Sequence, residues 1–174
     1  MIYYQDDKIV IRDLREADAQ IITDGEIAQG WHQTIDKYLG RLKDQADGIS
    51  VNLVAEYEGE PVGYINVYPD SKWGAFGGKG LPEIVDFGVL EKARRKGIGS
   101  KLMDVAEEIA SKYADTVYLS VGLHNGYGSA QRMYVKRGYL PDGTGAWYQG
   151  AVLGQYEPCA NDDDLQLNFS KKLR

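Results

Sequence analysis

The stretch Glu83–Tyr113, EIVDFGVLEKARRKGIGSKLMDVAEEIASKY, constrains this chain more than any other. Ile84, Val85, Phe87 and Val89 form a short β-branched and aromatic run between Pro82 and the charged pair Glu91-Lys92. That pattern predicts a buried strand over Glu83–Val89. From Ile98 the apolar residues Leu102, Val105, Ala106, Ile109 and Tyr113 recur at the 3.6-residue period, while Lys101, Asp104, Glu107, Glu108 and Lys112 fall mostly outside the stripe. The spacing predicts an amphipathic helix. Strand and helix are joined by a basic, glycine-containing turn, Arg94-Arg95-Lys96-Gly97-Ile98-Gly99.

Two readings fit that turn. The first N–H groups of a helix lack internal partners and sit at the positive end of its dipole, so they attract phosphate oxygens. Gly97 and Gly99 let the main chain approach an anion, and Arg94, Arg95 and Lys96 add positive charge beside it. The other reading is a solvated basic cluster whose glycines serve only the turn.

At 174 residues the chain is expected to form one domain, 1–174, with a core large enough to need no disulfide or structural metal. Its 43% hydrophobic and 26% charged content is that of a globular protein. No apolar run has the length of a membrane span, and the N-terminal residues lack the pattern of a signal peptide, so a cytoplasmic location is the expectation. The single cysteine, Cys159, fits a reducing compartment. A net charge of −6 argues against general nucleic-acid binding and makes the positive turn stand out as a site for a small anion.

Along the chain, Lys8–Arg12 reads as a strand, and Glu16–Ile27 as a helix with a cap or turn at Asp13. Ile35–Ala46 reads as a second helix with Ile35, Leu39 and Leu42 on one face, ending near Gly48. Ser50–Tyr57 and Pro61–Tyr68 flank Glu58-Gly59-Glu60 and predict an antiparallel hairpin. Asp70–Gly80 is a glycine-rich loop. Its Gly78-Lys79 pair is not a phosphate-binding loop, because Trp73 stands where the first glycine belongs and Gly80 where Ser or Thr is required. Thr116–Leu123 reads as a strand and Ser129–Lys136 as a short helix stopped at Gly138. Strand-like runs follow at Tyr139-Leu140, Ala146–Leu153 and Leu165–Leu173, the last with Leu165, Leu167 and Phe169 inward and Gln166, Asn168 and Ser170 outward. Asp162-Asp163-Asp164 is a solvated turn rather than a metal site, and His32, His124 and Cys159 lack ligand or nucleophile spacing, so no metal is expected.

The order strand, two helices, three antiparallel strands, helix, strand, helix, paired strands resembles the GNAT superfamily of acetyl-CoA-dependent N-acetyltransferases. Arg94-Arg95-Lys96-Gly97-Ile98-Gly99 fits that family's Arg/Gln-x-x-Gly-x-Gly/Ala pyrophosphate motif at the strand-to-helix turn where the family places it. Ser129-Ala130-Gln131-Arg132-Met133-Tyr134-Val135-Lys136-Arg137-Gly138-Tyr139 is similar to the second signature, a small residue, an alanine, a tyrosine and Gly-Phe or Gly-Tyr. The motifs cover about residues 85–139 and the topology about 8–173. The chain departs from the pattern at Asn125, five residues before Ala130 rather than about three, and Ser129 is the substitute.

The resemblance implies an α/β fold: a mixed, mostly antiparallel, twisted central sheet flanked by helices, with a splayed strand pair for the coenzyme. It implies acetyl-CoA as co-substrate, held by Phe87, Gly88, Val89, Arg94, Arg95, Lys96, Gly97, Ile98, Gly99, Ser100, Asn125 and Ser129. The reaction it implies is direct attack of a neutral primary amine on the thioester, with the Val89 N–H, freed by the splay from Thr116–Leu123, facing the carbonyl oxygen. Tyr134 is the candidate acid for the leaving thiolate: a phenol of pKa about 10 faces a thiol of about 8.5, a gradient of ~2 kcal/mol. Without the resemblance, Tyr134 reads as a core aromatic. Asp86 is the leading candidate base, with Glu83, Glu26 and Glu56 as other carboxylates, and its alternative role is to bind a cationic substrate. Trp31, Tyr64, Tyr68, Trp73 and Trp147 are candidate lining for an acceptor pocket.

The expected partner is a small-molecule or peptide amine, with neither nucleic acid nor membrane. Self-association as a homodimer stays open. Two other functions compete: a non-catalytic acyl-CoA-binding or sensory module, which would bind coenzyme without turnover, and a dinucleotide oxidoreductase, disfavoured because Leu102 occupies the third-glycine position.

Overall fold

Period-two burial and a tight turn build the first recognisable piece of the computed structural model, which describes residues 1–174. The chain divides into two compact units, Met1–Tyr68 with Ile84–Ile109, and Pro69–Glu83 with Ala110–Arg174.

The first unit holds β1 (Ile2–Gln5), β2 (Ile9–Asp13), α1 (Glu16–Ala28), α2 (Asp36–Ala46), β3 (Val51–Tyr57), β4 (Glu60–Tyr68), β5 (Glu83–Val89) and α3 (Ile98–Ala110). Its strands are neighbours in the order β1-β2-β3-β4-β5. β2 and β3 run antiparallel with Ile11 opposite Ala55, and β3 and β4 with Leu53 opposite Ile65. The β3–β4 turn places Glu58 at φ 51° and Gly59 at φ 85°. Two consecutive left-handed residues match the twist of a two-residue hairpin. α1 and α2 close a core of Leu14, Ala19, Ile22, Tyr38, Val54 and Tyr64, with Ile35 and Leu42 partly buried against it. From α3, Ile98, Leu102, Val105, Ala106 and Ile109 are buried as the stripe predicts, and Met103, outside the stripe, is buried with them.

Several expectations are corrected in this unit, and one element is added to them. Ile2–Gln5, which the sequence did not single out, is a strand paired with β2. Asp13 caps nothing; it ends β2 and accepts from the Tyr3 hydroxyl at 2.8 Å. The first turn of α1 is instead held by Asp18, whose carboxylate accepts the Arg15 N–H at 2.7 Å. Leu39 is exposed and Tyr38 takes the buried place on α2, while Tyr113 lies beyond the end of α3 and is exposed. Glu56 is committed to a structural network: buried Arg12 donates to it from Nε at 2.7 Å and forks onto Asp18 at 2.7 and 2.8 Å.

The second unit holds β6 (Thr116–Gly122), α4 (Gly128–Lys136), β7 (Leu140–Pro141), β8 (Trp147–Tyr148), β9 (Ala151–Val152) and β10 (Leu165–Lys172). β10 pairs antiparallel with β6, placing Leu167 opposite Val121 and Phe169 opposite Leu119, and also pairs with β7 and β8. The run Ala146–Leu153 is not one strand. It folds back at Gln149 (φ 51°) and Gly150 (φ 81°), another pair of left-handed residues, so β8 pairs with β9. Asn168 is also not outward: it is buried and its Oδ1 accepts from the Ser120 hydroxyl at 2.8 Å. The glycine-rich loop is anchored within the same unit, since Ser71 donates to buried Glu83, the Tyr118 hydroxyl donates to Trp73 O at 2.9 Å, and Phe76 packs 5.0 Å from the Tyr118 ring. No helix of the chain is long and apolar enough to cross a membrane.

Candidate active site

The basic turn connects β5 to α3 as its sequence predicts. A single 3₁₀ turn, Glu91–Ala93, leads into it, and Arg94 donates from Nε to Val89 O at 3.2 Å, which ties the turn to the end of β5. Arg95 stands at φ 61° and Gly97 at φ 80°. Arg95 therefore accepts left-handed backbone without being glycine, and Gly97 occupies a conformation that glycine tolerates best. Nothing lies within 4 Å of where a Cβ on Gly97 would stand, so its outer face is open. The next amide to find a helical acceptor is Lys101 N, on Gly97 O at 3.1 Å. Earlier donors of α3 face out of the helix end, where an anion is stabilised. Arg94, Arg95, Lys96 and Ser100 are all exposed. Lys96 leans over the Tyr57 ring at 4.2 Å, and Arg94 sits 5.9 Å from the Trp31 ring. Gly99 serves packing instead: a Cβ there would stand 3.1 Å from Phe87 Cζ.

β5 presents its two faces to different surroundings. Phe87 and Val89 turn to α3, as their closeness to Gly99 shows, and Asp86 and Gly88 turn the other way, as alternation predicts. Asp86 itself is left-handed, at φ 54°, in mid-strand. The Asn66 side-chain amide donates to both Val85 O and Asp86 O, at 3.0 and 3.1 Å, and so holds the irregular peptide in place. A non-glycine residue in this region costs on the order of 1–3 kcal/mol and tends to mark functional backbone. Gly88 has no room for a side chain, because a Cβ would stand 2.7 Å from the Tyr64 hydroxyl oxygen. Gly88→Ala is therefore expected to destabilise the protein by roughly 1–3 kcal/mol, read from denaturant melts. An unchanged midpoint would show that the phenol yields freely.

Beneath Asp86 and Gly88 lies a polar cluster within the same unit. Glu26 of α1 is fully buried. Its carboxylate accepts from the Tyr38 hydroxyl at 2.8 Å and from the Tyr64 hydroxyl at 2.6 Å. Lys37 Nζ lies 3.5 Å from Glu26, 3.6 Å from Asp86 and 3.2 Å from the Tyr64 oxygen. Arg41, one turn further along α2, lies 3.8 Å from Asp86 and also donates to the Tyr68 hydroxyl, which donates to Asp44 at 2.5 Å. Burial pushes both phenols well above the ordinary tyrosine value; at Tyr38 the neighbouring Tyr64 and Glu26 add to it, and at Tyr64 the charges of Asp86 and Glu26 do. Both phenols therefore remain hydrogen-bond donors at neutral pH.

The carboxylates separate by environment. Glu26 and Asp86 share this cluster, Glu56 belongs to Arg12, and Glu83 belongs to Ser71 and Tyr118 in the other unit. Of the aromatics read as pocket lining, only Tyr64 and Tyr68 touch the cluster; Trp31 stands by Arg94, Trp73 is exposed, and Trp147 donates to Thr144 in a turn. Lys37, Tyr38 and Arg41 were not singled out by the sequence. A signal was present: Lys37 sits in the first turn of α2, where the helix dipole disfavours a cation.

In the second unit, α4 carries Ser129, exposed, and Tyr134, buried with its ring 5.8 Å from that of Tyr139. Asn125 begins a 3₁₀ turn before α4; its side chain is exposed and its carbonyl accepts the Gly128 N–H. Burial raises the Tyr134 phenol above its usual value, and nearby Tyr127 adds to the effect. His124 and Tyr127 both bond Asp163 at 2.9 Å, so the aspartate run closes a loop. Cys159 is free and exposed.

Residues 12–139 match the Acetyltransferase (GNAT) family, and the chain belongs to it. It is 36% identical over 118 residues to an N-alpha-acetyltransferase of Sulfurisphaera tokodaii, a span of 58% of this chain and 68% of that protein. Among solved structures it is similar to the Salmonella typhimurium acetyl transferase that modifies the N-terminal serine of ribosomal protein L7/L12, with TM-score 0.73 and 10% identity over 100% of both chains. It is also similar to the Salmonella typhimurium putative acetyltransferase yncA with its cofactor acetyl-CoA, with TM-score 0.67 and 20% identity over 97% of this chain and 95% of that one. The fold is thus the mixed α/β fold of this family, with a mostly antiparallel sheet and flanking helices, and the protein is an acetyl-CoA-dependent N-acetyltransferase. The open left-handed bend at Gly97 is compatible with a diphosphate at the start of α3.

Proposed function

We propose that the chain, acting as one 1–174 catalytic domain in the cytoplasm, acetylates a primary amine of a small molecule or peptide by direct attack on acetyl-CoA. The observation that carries this reading is the open, basic bend Arg94–Ser100 at the start of α3, with Gly97 left-handed and uncovered. In this reading Arg94, Arg95, Lys96, Gly97, Ile98, Gly99 and Ser100 hold the diphosphate, and the β5 backbone at Phe87, Gly88 and Val89 pairs with the pantetheine amides as an added strand does. Asn125 and Ser129 supply further polar contacts to the coenzyme. The acceptor ammonium first gives one proton to the Asp86 carboxylate, which passes it to water; the neutral nitrogen then attacks the carbonyl carbon, the C–S bond breaks, the nitrogen gives its second proton to water, and the thiolate leaves under a hydrogen bond from the Tyr134 phenol. Asp86 faces the acceptor's positive charge before the first proton is lost. Its place beside Lys37 and Arg41 supports a carboxylate that deals with cations.

The name of the Sulfurisphaera relative brings peptide α-amines to the head of the acceptor panel. The test is free-thiol release from acetyl-CoA with peptides of varied first residue beside polyamines, amino acids and antibiotics bearing amines. Release that depends on one class, with the acetylated product identified by mass, supports the reading. Coenzyme binding without release across the whole panel overturns it.

A further inference from the structure

We infer that the pocket around Lys37 is a receptor for a primary ammonium group that this chain keeps filled with its own lysine. Two carboxylates, Glu26 and Asp86, approach Nζ at 3.5 and 3.6 Å, and the Tyr64 hydroxyl oxygen at 3.2 Å. The rings of Tyr38 and Tyr64 each have their centroid 4.6 Å from the same nitrogen, and they meet edge to face at 82°. Anionic oxygens combined with two π faces are the chemistry that recognises an alkylammonium. The pocket is built from four elements, α1, α2, β4 and β5, and its other contacts do not need Lys37. Glu26 keeps its bonds from Tyr38 and Tyr64, and Asp86 keeps Arg41. Removing the lysine therefore leaves a framed site rather than a collapsed one.

Lys37 is suited to leaving. Its side chain is 21% exposed, it stands at the second residue of α2, and the dipole at that end of the helix disfavours its charge. The pocket also sits where an acceptor amine is needed. Lys37 Nζ is 3.2 Å from the Tyr64 oxygen, and that oxygen is 2.7 Å from the place a Gly88 side chain would take. The ammonium thus rests next to the β5 backbone at Gly88. Calling the pocket the acceptor's place rests on the function proposed above; the ammonium receptor itself does not. In that place Lys37 is an internal competitor: an incoming –NH₃⁺ displaces it, and the apparent affinity is reduced by the fraction of molecules in which the lysine is home.

The probe is n-propylammonium, which matches the atoms lost in Lys37→Ala, titrated by calorimetry into the full chain without acetyl-CoA. Lys37→Ala is expected to bind it about tenfold more tightly than the wild type, while 1-propanol gains nothing. Lys37→Met, which keeps an unbranched side chain between the rings, is expected to gain nothing either. Equal affinities in Lys37→Ala and wild type, or equal gains for propanol, overturn the receptor. A measurement on the wild type guards against a misfolded variant: the ring-shifted ε-methylene resonances of Lys37 are expected to move toward free-lysine positions as n-propylammonium saturates, and their staying fixed also overturns it. KM for an alkylamine acceptor should fall in Lys37→Ala by the same factor as the calorimetric gain. A gain in binding with KM unmoved removes the assignment as acceptor site, while absence of thiol release with every amine removes the proposed function instead.

Discussion

A Gly97→Glu protein is expected to fold and to give no measurable heat on titration with acetyl-CoA. Two effects act there and they differ in size. At φ 80° any side chain is strained, at a cost of roughly 1–2 kcal/mol, but nothing lies within 4 Å of the new Cβ, so no overpacking is added. The fold survives that cost, and neighbouring Arg95 already carries a side chain at φ 61°. Binding is hit harder. The new carboxylate would stand at the start of α3, where it can take the orphan N–H groups for itself and repel a diphosphate. Charge-assisted bonds contribute roughly 1.5–3 kcal/mol each, so losing two weakens binding by about 10²–10⁴-fold. Gly97→Ala separates the terms: it carries the strain without the charge, and is expected to lower the melting temperature as Gly97→Glu does while retaining most of the coenzyme affinity. An acetyl-CoA affinity unchanged in Gly97→Glu would mean that the diphosphate is held elsewhere, and the proposed site would be lost with it.

The turn was legible because its information is local. A β-branched run, a basic bend and a helical stripe follow one another within thirty residues, and β5 and α3 form where Ile84–Val89 and Ile98–Ile109 say they should. The hairpin at Glu58-Gly59 and the short helix ending before Gly138 were legible for the same reason. What was hidden depends on partners distant in sequence. Ile2–Gln5 has too few residues to announce a strand until β2 is there to pair with it. Asn168 breaks an inward-outward alternation because Ser120, on β6, satisfies it inside. Gly150 closes a hairpin inside what reads as one continuous run. The ammonium pocket needs Glu26, Lys37, Tyr64 and Asp86 from four elements, and none of these residues has a motif around it. Carboxylates could be collected from the sequence as a set of four. Only their neighbours divide them, since Arg12 claims Glu56 and Ser71 claims Glu83.

Tyr134→Phe is expected to lower kcat by about 10²-fold or more, the scale of a lost proton-donating group, and to leave acetyl-CoA affinity nearly unchanged. Phenylalanine keeps the ring that packs 5.8 Å from Tyr139, so the core of the second unit loses one hydroxyl and no volume. The structure changes the chemistry expected of this group. With an ordinary phenol, proton transfer to a thiolate is a gradient of ~2 kcal/mol, but burial raises the Tyr134 pKa and makes the transfer steeper. The phenol is thus a better donor of a hydrogen bond to developing sulfur charge than of a free proton, and solvent can complete the transfer after the C–S bond has broken. A raised pKa also fixes the sign of the pH dependence. The active, protonated form persists below the ordinary phenol value of about 10 and is lost only above it, so wild type and Tyr134→Phe should differ by a constant factor across neutral and mildly alkaline pH. If the mutant turns over as fast as the wild type, Tyr134 is a core aromatic and no more. If it instead loses coenzyme affinity in equilibrium titration while kcat is kept, the hydroxyl is a binding contact, and the leaving thiolate takes its proton from another source.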